Sequence, residues 1–85
     1  MVRIRTVEAL DGLRVRLGFT DGTVGEVDLT EYMWGPIFEP VVRERRFFEA
    51  VSVDPDAGTI VWPNGADMDP DVLYELAHRA GARRT

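Results

Sequence analysis

The stretch LRVRLGFTDG, residues 13–22, decides the fold. Its apolar residues alternate with polar or small ones, which is the period of a strand with one buried face: Leu13, Val15, Leu17 and Phe19. Asp21-Gly22 then supplies a hairpin turn, because glycine adopts a positive φ without steric cost. We therefore expect a strand over residues 13–19 that turns back into a second strand over Thr23–Leu29.

The register of this hairpin follows from the parity of its two strands. A three-residue loop, Thr20–Gly22, sets apolar residues opposite each other: Val15 with Val27 and Leu13 with Leu29, while Phe19 faces Thr23. The same register pairs opposite charges on the other face: Arg14 with Asp28 and Arg16 with Glu26. A two-residue loop would instead place Glu26 and Asp28 on the apolar face. The three-residue loop is therefore favoured.

A further strand over Val2–Ala9 is expected before the turn at Asp11-Gly12, which makes the first thirty residues a β-meander. The pairing of this first strand stays open, because either register mixes polar and apolar residues on one face.

The segment from Thr30 to Glu49 is rich in aromatic residues and contains Pro36 and Pro40, which forbid one continuous helix. We expect a short helical turn around Glu31–Met33, a bend at Gly35-Pro36 and a helix over Val41–Phe48. The aromatic residues are interpreted as core that packs on one face of the sheet. Arg43, Glu44, Arg45 and Arg46 would form the solvated side of the helix.

Two more elements complete the predicted fold. A four-residue loop, Pro55–Gly58, pairs Val53 with Ile60 and Val51 with Trp62 in a second hairpin. Asp69-Pro70 reads as the N-cap and first residue of a last helix, whose apolar stripe is Leu73, Leu76, Ala77 and Ala80. Gly81 would end this helix, with Arg79, Arg83 and Arg84 at the negative end of its dipole. The prediction is one α+β domain over residues 1–85, with about five antiparallel strands, a short middle helix and a C-terminal helix.

The composition excludes several classes of function. The 85 residues include no cysteine, so disulfides and thiolate metal sites are excluded. No apolar run is long enough to span a bilayer and the N-terminus lacks a signal-peptide core, so we expect a cytoplasmic protein. The net charge of −5 argues against nucleic-acid binding by this chain alone.

No constellation of residues indicates catalysis, a metal or a cofactor. Asp67, Asp69 and Asp71 begin like a calcium loop, but Pro70 and Val72 break the pattern and helix capping explains the same residues. His78 is the only histidine and Ser52 the only serine, so neither a zinc site nor a nucleophile–base pair is indicated. We expect a protein without enzymatic activity.

The loop that runs from Trp62 through Pro63, Asn64 and Gly65 to Asp67 has two interpretations. It is either a fixed connection between strand and helix, which is favoured, or a rigid loop that presents Trp62 and Asn64 to a partner.

The sequence resembles a known family in three stretches. Residues 17–22, LGFTDG, with Val27-Asp28-Leu29 resemble the opening of the small bacterial domain of unknown function 2442. Residues 35–39, GPIFE, and Phe47-Phe48 fit its middle segment, although Pro40 stands where a leucine or polar residue is commoner. Residues 58–67, GTIVWPNGAD, resemble its closing motif, which residues 71–74 continue.

The resemblance implies a compact α+β domain without established activity or functional residues. It also implies a gene beside that of a second small protein, in pairs that look like toxin–antitoxin units. Some relatives carry a helix-turn-helix domain after this one; none is expected here, because the sequence stops at Thr85.

These observations together predict a protein-interaction module, the antitoxin-like member of a two-gene pair, that binds a small co-encoded protein. The candidate partner-binding residues are Trp34, Trp62, Asn64 and Asp67. Two alternatives remain open: a transcriptional regulator that contacts DNA through Arg43, Arg45 and Arg46 or through Arg83-Arg84, and a small-molecule-binding domain with a pocket around Trp34 and Trp62. A homodimer, formed through a sheet edge or an apolar surface, is also expected.

Overall fold

A computed structural model describes residues 1–84 and contains two antiparallel sheets. The larger sheet has the order β1-β2-β3-β6. Its strands are β1 (Ile4–Ala9), β2 (Arg14–Phe19), β3 (Thr23–Asp28) and β6 (Arg83–Arg84). The smaller sheet consists of β4 (Ser52–Asp54) and β5 (Thr59–Val61).

Short helices connect and cover the sheets. Two 3₁₀ turns, Thr30–Tyr32 and Pro36–Phe38, precede helices α1 (Glu39–Arg43) and α2 (Arg45–Glu49), and α3 spans Pro70–Arg79. The core lies between the meander and these helices; its fully buried side chains include Leu17, Phe19, Phe48, Trp62 and Leu73. The predicted α+β class is confirmed.

The hairpin of β2 and β3 has the predicted register, with Arg14 opposite Asp28, Val15 opposite Val27 and Arg16 opposite Glu26. The ion pairs differ in detail from those expected. Arg14 turns from Asp28 to Glu26 and Asp11, because Asp28 accepts hydrogen bonds from the amide and hydroxyl of Thr30 at 2.9 and 2.6 Å. These bonds lower the pKa of Asp28 and end the strand.

The open face of the meander carries a ladder of charges. The guanidinium of Arg16 lies 2.8 Å from Glu8 on β1 and 2.9 Å from Glu26 on β3, and Arg14 also contacts Glu26. We call Glu8, Arg14, Arg16 and Glu26 the charge ladder. It crosses three strands with alternating sign.

The pairing of β1, left open by the sequence, depends on a bulge. Ile4 pairs with Phe19 and Thr6 with Gly18, so Arg5 is an extra residue on β1. Because this residue shifts the parity, Ile4 before the bulge and Val7 after it both face the core side. A single alternating register could not accommodate both.

The predicted helix over Val41–Phe48 is wrong in its continuity. Glu44 has extended dihedral angles, φ −116° and ψ 116°, and separates α1 from α2. The break accompanies tertiary contacts of Arg45, which donates hydrogen bonds to the carbonyl groups of Leu10 and Gly12 and lies 4.9 Å over the Phe48 ring. These contacts with the first hairpin are invisible in the local sequence.

The second hairpin pairs Val53 with Ile60 as predicted. The last helix also begins as predicted, because the Asp69 carboxylate accepts a hydrogen bond of 2.8 Å from the Asp71 amide. It ends at Arg79, and the turn that follows depends on Gly81, whose φ of 92° lets the Ala82 amide donate to the Ala77 carbonyl at 2.9 Å.

Of the three arginines predicted at the negative end of the helix dipole, Arg79 lies in the last turn of α3, whereas Arg83 and Arg84 lie beyond the helix and form β6 against Thr23 and Val24. The turn at Gly81 redirects the chain toward the free edge of β3.

Tyr74 joins α3 to the β2–β3 turn. Its ring packs edge-on against Phe19 at 5.0 Å, and its hydroxyl donates a hydrogen bond of 2.6 Å to Asp21. Asp21 also accepts from the Thr23 amide. The hydrogen bond from Tyr74, followed by that from Thr23, lowers the pKa of Asp21 to about 2, and the same carboxylate raises the pKa of Tyr74.

This contact predicts a pH-dependent effect of Tyr74→Phe. A carboxyl whose folded pKa is about 2 instead of 3.8 stabilises the fold above pH 3.8, and that contribution is lost as the pH falls toward 2. Tyr74→Phe should therefore lower stability at pH 5–7, and its effect should shrink toward pH 2. Urea unfolding across this range measures it. Tyr32→Phe is the control, since the Tyr32 hydroxyl has no hydrogen bond within residues 1–84; a Tyr74→Phe effect independent of pH would contradict the prediction.

Candidate partner-binding surface

Trp34 stands out from the surface with 77% of its area exposed. The interpretation of the middle aromatics as core is therefore wrong for this residue. Its neighbours explain why: Leu29 and Met33 occupy the buried positions around the first 3₁₀ turn, and Phe38 packs edge-on against Trp62 at 6.0 Å. Trp34 is thus an exposed aromatic side chain on a segment anchored at both ends.

Two grooves open to solvent lie beside Trp34. The α3 groove, about 310 Å³, is lined by Tyr32, Trp34, Phe38, Asp67, Met68, Asp69 and Val72. The α1 groove, about 430 Å³, is lined by Met33, Trp34, Gly35, Pro36, Glu39, Val42 and Arg43. Val42 and Val72 are themselves 47% and 43% exposed. We call Trp34, Val42 and Val72 the Trp34 patch.

Asn64 and Asp67 reach the same region from the loop after β5. The Asn64 side-chain amide donates a hydrogen bond of 2.8 Å to the Ile37 carbonyl, and its oxygen accepts from the Ala66 amide at 3.1 Å. Asp67 forms a β-bridge with Val61 and lines the α3 groove. Trp34 and Asp67 therefore line the same groove, and Asn64 bonds the backbone of the adjoining turn at Ile37.

Trp62, the fourth candidate, lies in the core. It is 2% exposed, and its indole N–H donates a hydrogen bond of 3.1 Å to the Phe48 carbonyl. This burial removes Trp62 from the candidate surface, and neither groove beside Trp34 includes it. Its alternation with buried Ile60 in the strand sequence was the signal for this position.

Val42 and Val72 are residues of the surface that the sequence reasoning missed. Val72 lies beside the core-facing stripe of α3 and Val42 beside buried Val41. An apolar residue that lies next to the buried stripe of a helix, and not within it, was the sequence signal that could have identified them as surface residues.

The helical basic cluster is largely occupied by internal contacts, whereas no ion pair within residues 1–84 involves Arg83 or Arg84. Arg43 pairs with Glu39 at 2.6 Å, and Arg45 pairs with Glu49 at 2.9 Å in addition to its two carbonyl contacts. Arg79 likewise pairs with Glu75. Of the predicted helical cluster, Arg46 alone has no ion pair within residues 1–84.

A depression of about 540 Å³ between β3 and α3 is a weaker candidate site. Its polar lining includes Asp28 and Arg79, but Asp28 is bonded to Thr30 and Arg79 to Glu75. These two groups are therefore already engaged, whereas the Glu31 carboxylate and the Tyr32 hydroxyl, which also line the depression, have no hydrogen bond within residues 1–84.

Within the described part of the chain, no three or more histidine, cysteine, aspartate or glutamate side chains are grouped so that they could hold a metal. No helix over residues 1–84 has the length and apolar character to cross a membrane.

Comparisons with known proteins give two similarities. The family model described as "Protein of unknown function (DUF2442)" matches residues 4–79. The crystal structure of the protein described as "Putative DNA Binding Protein NE0471" from Nitrosomonas europaea ATCC 19718 superposes with a TM-score of 0.80 at 26% identity. The match covers 95% of this chain and 52% of that one, so this chain spans about half the length of that protein. No curated protein matches.

Proposed function

The chain belongs to the DUF2442 family of proteins of unknown function, and from that premise we propose that it is a non-enzymatic module that binds a protein partner through the Trp34 patch. The exposure of Trp34 on an anchored segment carries the proposal. Tryptophan is enriched among the few residues that dominate binding energy at protein interfaces. A tryptophan that contributes nothing to the core is therefore best explained by what it contacts outside the molecule.

The partner we expect is a small co-encoded protein, as in an antitoxin–toxin pair. The Asn64 bond to the Ile37 carbonyl supports this function, because it holds the turn beside Trp34 in place before binding. A surface that is already ordered loses less conformational entropy on association.

Trp34→Ala tests this proposal. Removing an anchor worth at least about 2 kcal/mol should weaken partner binding by about 30-fold or more. The partner would be captured from the native host at stoichiometric yield, identified by mass spectrometry and reconstituted with the purified chain for titration calorimetry. Arg46→Ala is the control and should leave the affinity unchanged within about twofold. Unchanged binding by Trp34→Ala would refute the proposal.

DNA contact is the second candidate function, and the description of the Nitrosomonas europaea protein is the observation that favours it. The ion pairs of Arg43 and Arg45 weigh against it, since phosphates would have to compete with Glu39 and Glu49. A gel shift on the chain's own promoter at rising salt separates the two functions, because phosphate contacts weaken steeply with salt. DNA binding lost in Arg46→Ala and kept in Trp34→Ala would favour this second function.

A further inference from the structure

The α3 groove combines an apolar floor with an acidic rim. The side chains of Phe38, Met68 and Val72 lie along it beside the Trp34 indole, and the carboxylates of Asp67 and Asp69 line it as well. A surface that is both apolar and acidic is more selective for its partner than an apolar patch alone, because its negative charge disfavours negatively charged segments.

The acidic rim is not neutralised by the chain's own arginines. All the ion pairs within residues 1–84 involve other carboxylates, and neither Asp67 nor Asp69 takes part in one. One Asp69 oxygen accepts the capping hydrogen bond from Asp71. The start of α3 contributes roughly half a positive charge, whereas the two lining carboxylates, Asp67 and Asp69, contribute two negative ones. The groove is therefore negative.

We infer that the α3 groove takes a segment of the partner protein in which an arginine or lysine lies next to a large apolar side chain. This inference rests on the proposed function and names the chemistry of the partner. The apolar side chain would lie on Phe38, Met68 and Val72. The cation would lie over the Trp34 indole, where cation–π attraction is strongest among the aromatic residues, and within reach of Asp67 and Asp69.

Charge argues against a second copy of this chain in the same groove. Each copy carries a net charge of −5, and a two-fold contact centred on the groove would set the Asp67 and Asp69 carboxylates of one copy against those of the other. The groove volume of about 310 Å³ lies at the lower end of the range for small-molecule pockets, about 300–1,000 Å³, and the groove is open along its side. A peptide segment fits it better than an enclosed ligand.

The test uses a synthetic peptide of alternating leucine and arginine, and a matched peptide in which the neutral isostere citrulline replaces each arginine. Two indole N–H signals in a nitrogen–proton NMR spectrum report on the titration, one from exposed Trp34 and one from buried Trp62. The arginine peptide should move the Trp34 signal and leave the Trp62 signal in place. The citrulline peptide should bind at least about tenfold more weakly than the arginine peptide.

Asp67→Asn combined with Asp69→Asn should lower the affinity for the arginine peptide by about tenfold. Asparagine keeps the helix cap, because its side-chain oxygen accepts the Asp71 amide as aspartate does. Asp56→Asn combined with Glu44→Gln also removes two exposed carboxylates, both outside the α3 groove; this charge-matched control should change the affinity by less than about twofold. Equal binding of the two peptides, an unaffected double variant, or no movement of the Trp34 signal up to about 1 mM peptide would overturn the inference.

The reconstituted partner separates the failure of this inference from that of the proposed function. If partner binding depends on Trp34 but not on Asp67 and Asp69, the proposed function stands and the inference of a cationic partner segment is refuted. Binding that ignores Trp34 refutes both. A dimer of the chain alone that dissociates in Trp34→Ala, observed by analytical ultracentrifugation, would assign the groove to a second copy and also overturn the inference.

Discussion

Trp62→Ala should lower the free energy of unfolding by about 3–5 kcal/mol, the usual cost of deleting a large aromatic side chain from a core. Trp62 is 2% exposed and packs between Phe38 and Phe48, with ring centroids 6.0 and 6.2 Å away. The substitution leaves a cavity and removes the indole hydrogen bond to the Phe48 carbonyl. A chain of 85 residues has a total stability of only about 4–13 kcal/mol, so much of the fold's stability depends on this side chain.

Trp34→Ala is the matched control, since it deletes the same side chain from an exposed position. Its effect on stability should stay within about 0.5 kcal/mol. Urea unfolding of the two variants, followed by circular dichroism, gives the comparison. Similar losses from both substitutions would show that the burial of the two tryptophans is not as described.

Gly25→Ala should destabilise the protein by about 1–3 kcal/mol through overpacking. A Cβ at Gly25 would lie 2.7 Å from the Ala82 Cβ and 3.2 Å from the Ala77 Cβ, both closer than normal packing permits. Gly25 has no positive φ, so the cost arises from close approach between β3 and the end of α3 and not from backbone strain. β3 would have to move away from the helix or the turn after Gly81 would have to shift.

Ala82→Gly supplies the test of this mechanism, because it removes the nearer of the two colliding methyl groups. Alone it should cost about 0.5–1 kcal/mol, through the greater freedom of glycine in the unfolded chain. In the Ala82→Gly background, Gly25→Ala should cost less than in the natural sequence, a coupling that a double-mutant cycle measures. Strict additivity of the two effects would contradict the steric explanation.

The parts of the fold that the sequence predicts are those decided by neighbouring residues. Turn chemistry at Asp21-Gly22 and parity along β2 and β3 are enough for the register of that hairpin. Asp69-Pro70 and Gly81 set the ends of α3 through caps that involve a few adjacent residues.

The parts that the sequence does not predict depend on distant contacts. The break at Glu44 accompanies the bonds of Arg45 to Leu10 and Gly12, more than thirty residues away. β6 forms because the turn at Gly81 brings Arg83 and Arg84 to an edge of β3 that no local pattern identifies as free.

The candidate site was predictable only in part, for the same reason. Asn64 and Asp67 were selected from a conspicuous loop, and the structure brings that loop to the turn beside Trp34 through the bond to Ile37. Trp34 and Trp62 are not distinguished by residue type, because both are large aromatics next to proline or glycine, and the alternation of Trp62 with Ile60 was the one sequence signal that separated them. Burial separates them, and burial is set by tertiary packing around Leu29, Met33 and Phe38.

The charge ladder on the open face of the meander has a consequence for concentrated solutions of the protein. Face-to-face stacking of two such sheets would strip water from Glu8, Arg14, Arg16 and Glu26, whose side chains are now 38–63% exposed. The desolvation penalty is several kcal/mol for each ion, which a small stacked area cannot offset. Because burying these charges costs more than the stacked area returns, the charge ladder disfavours face-to-face association of two meanders and so opposes aggregation through this face.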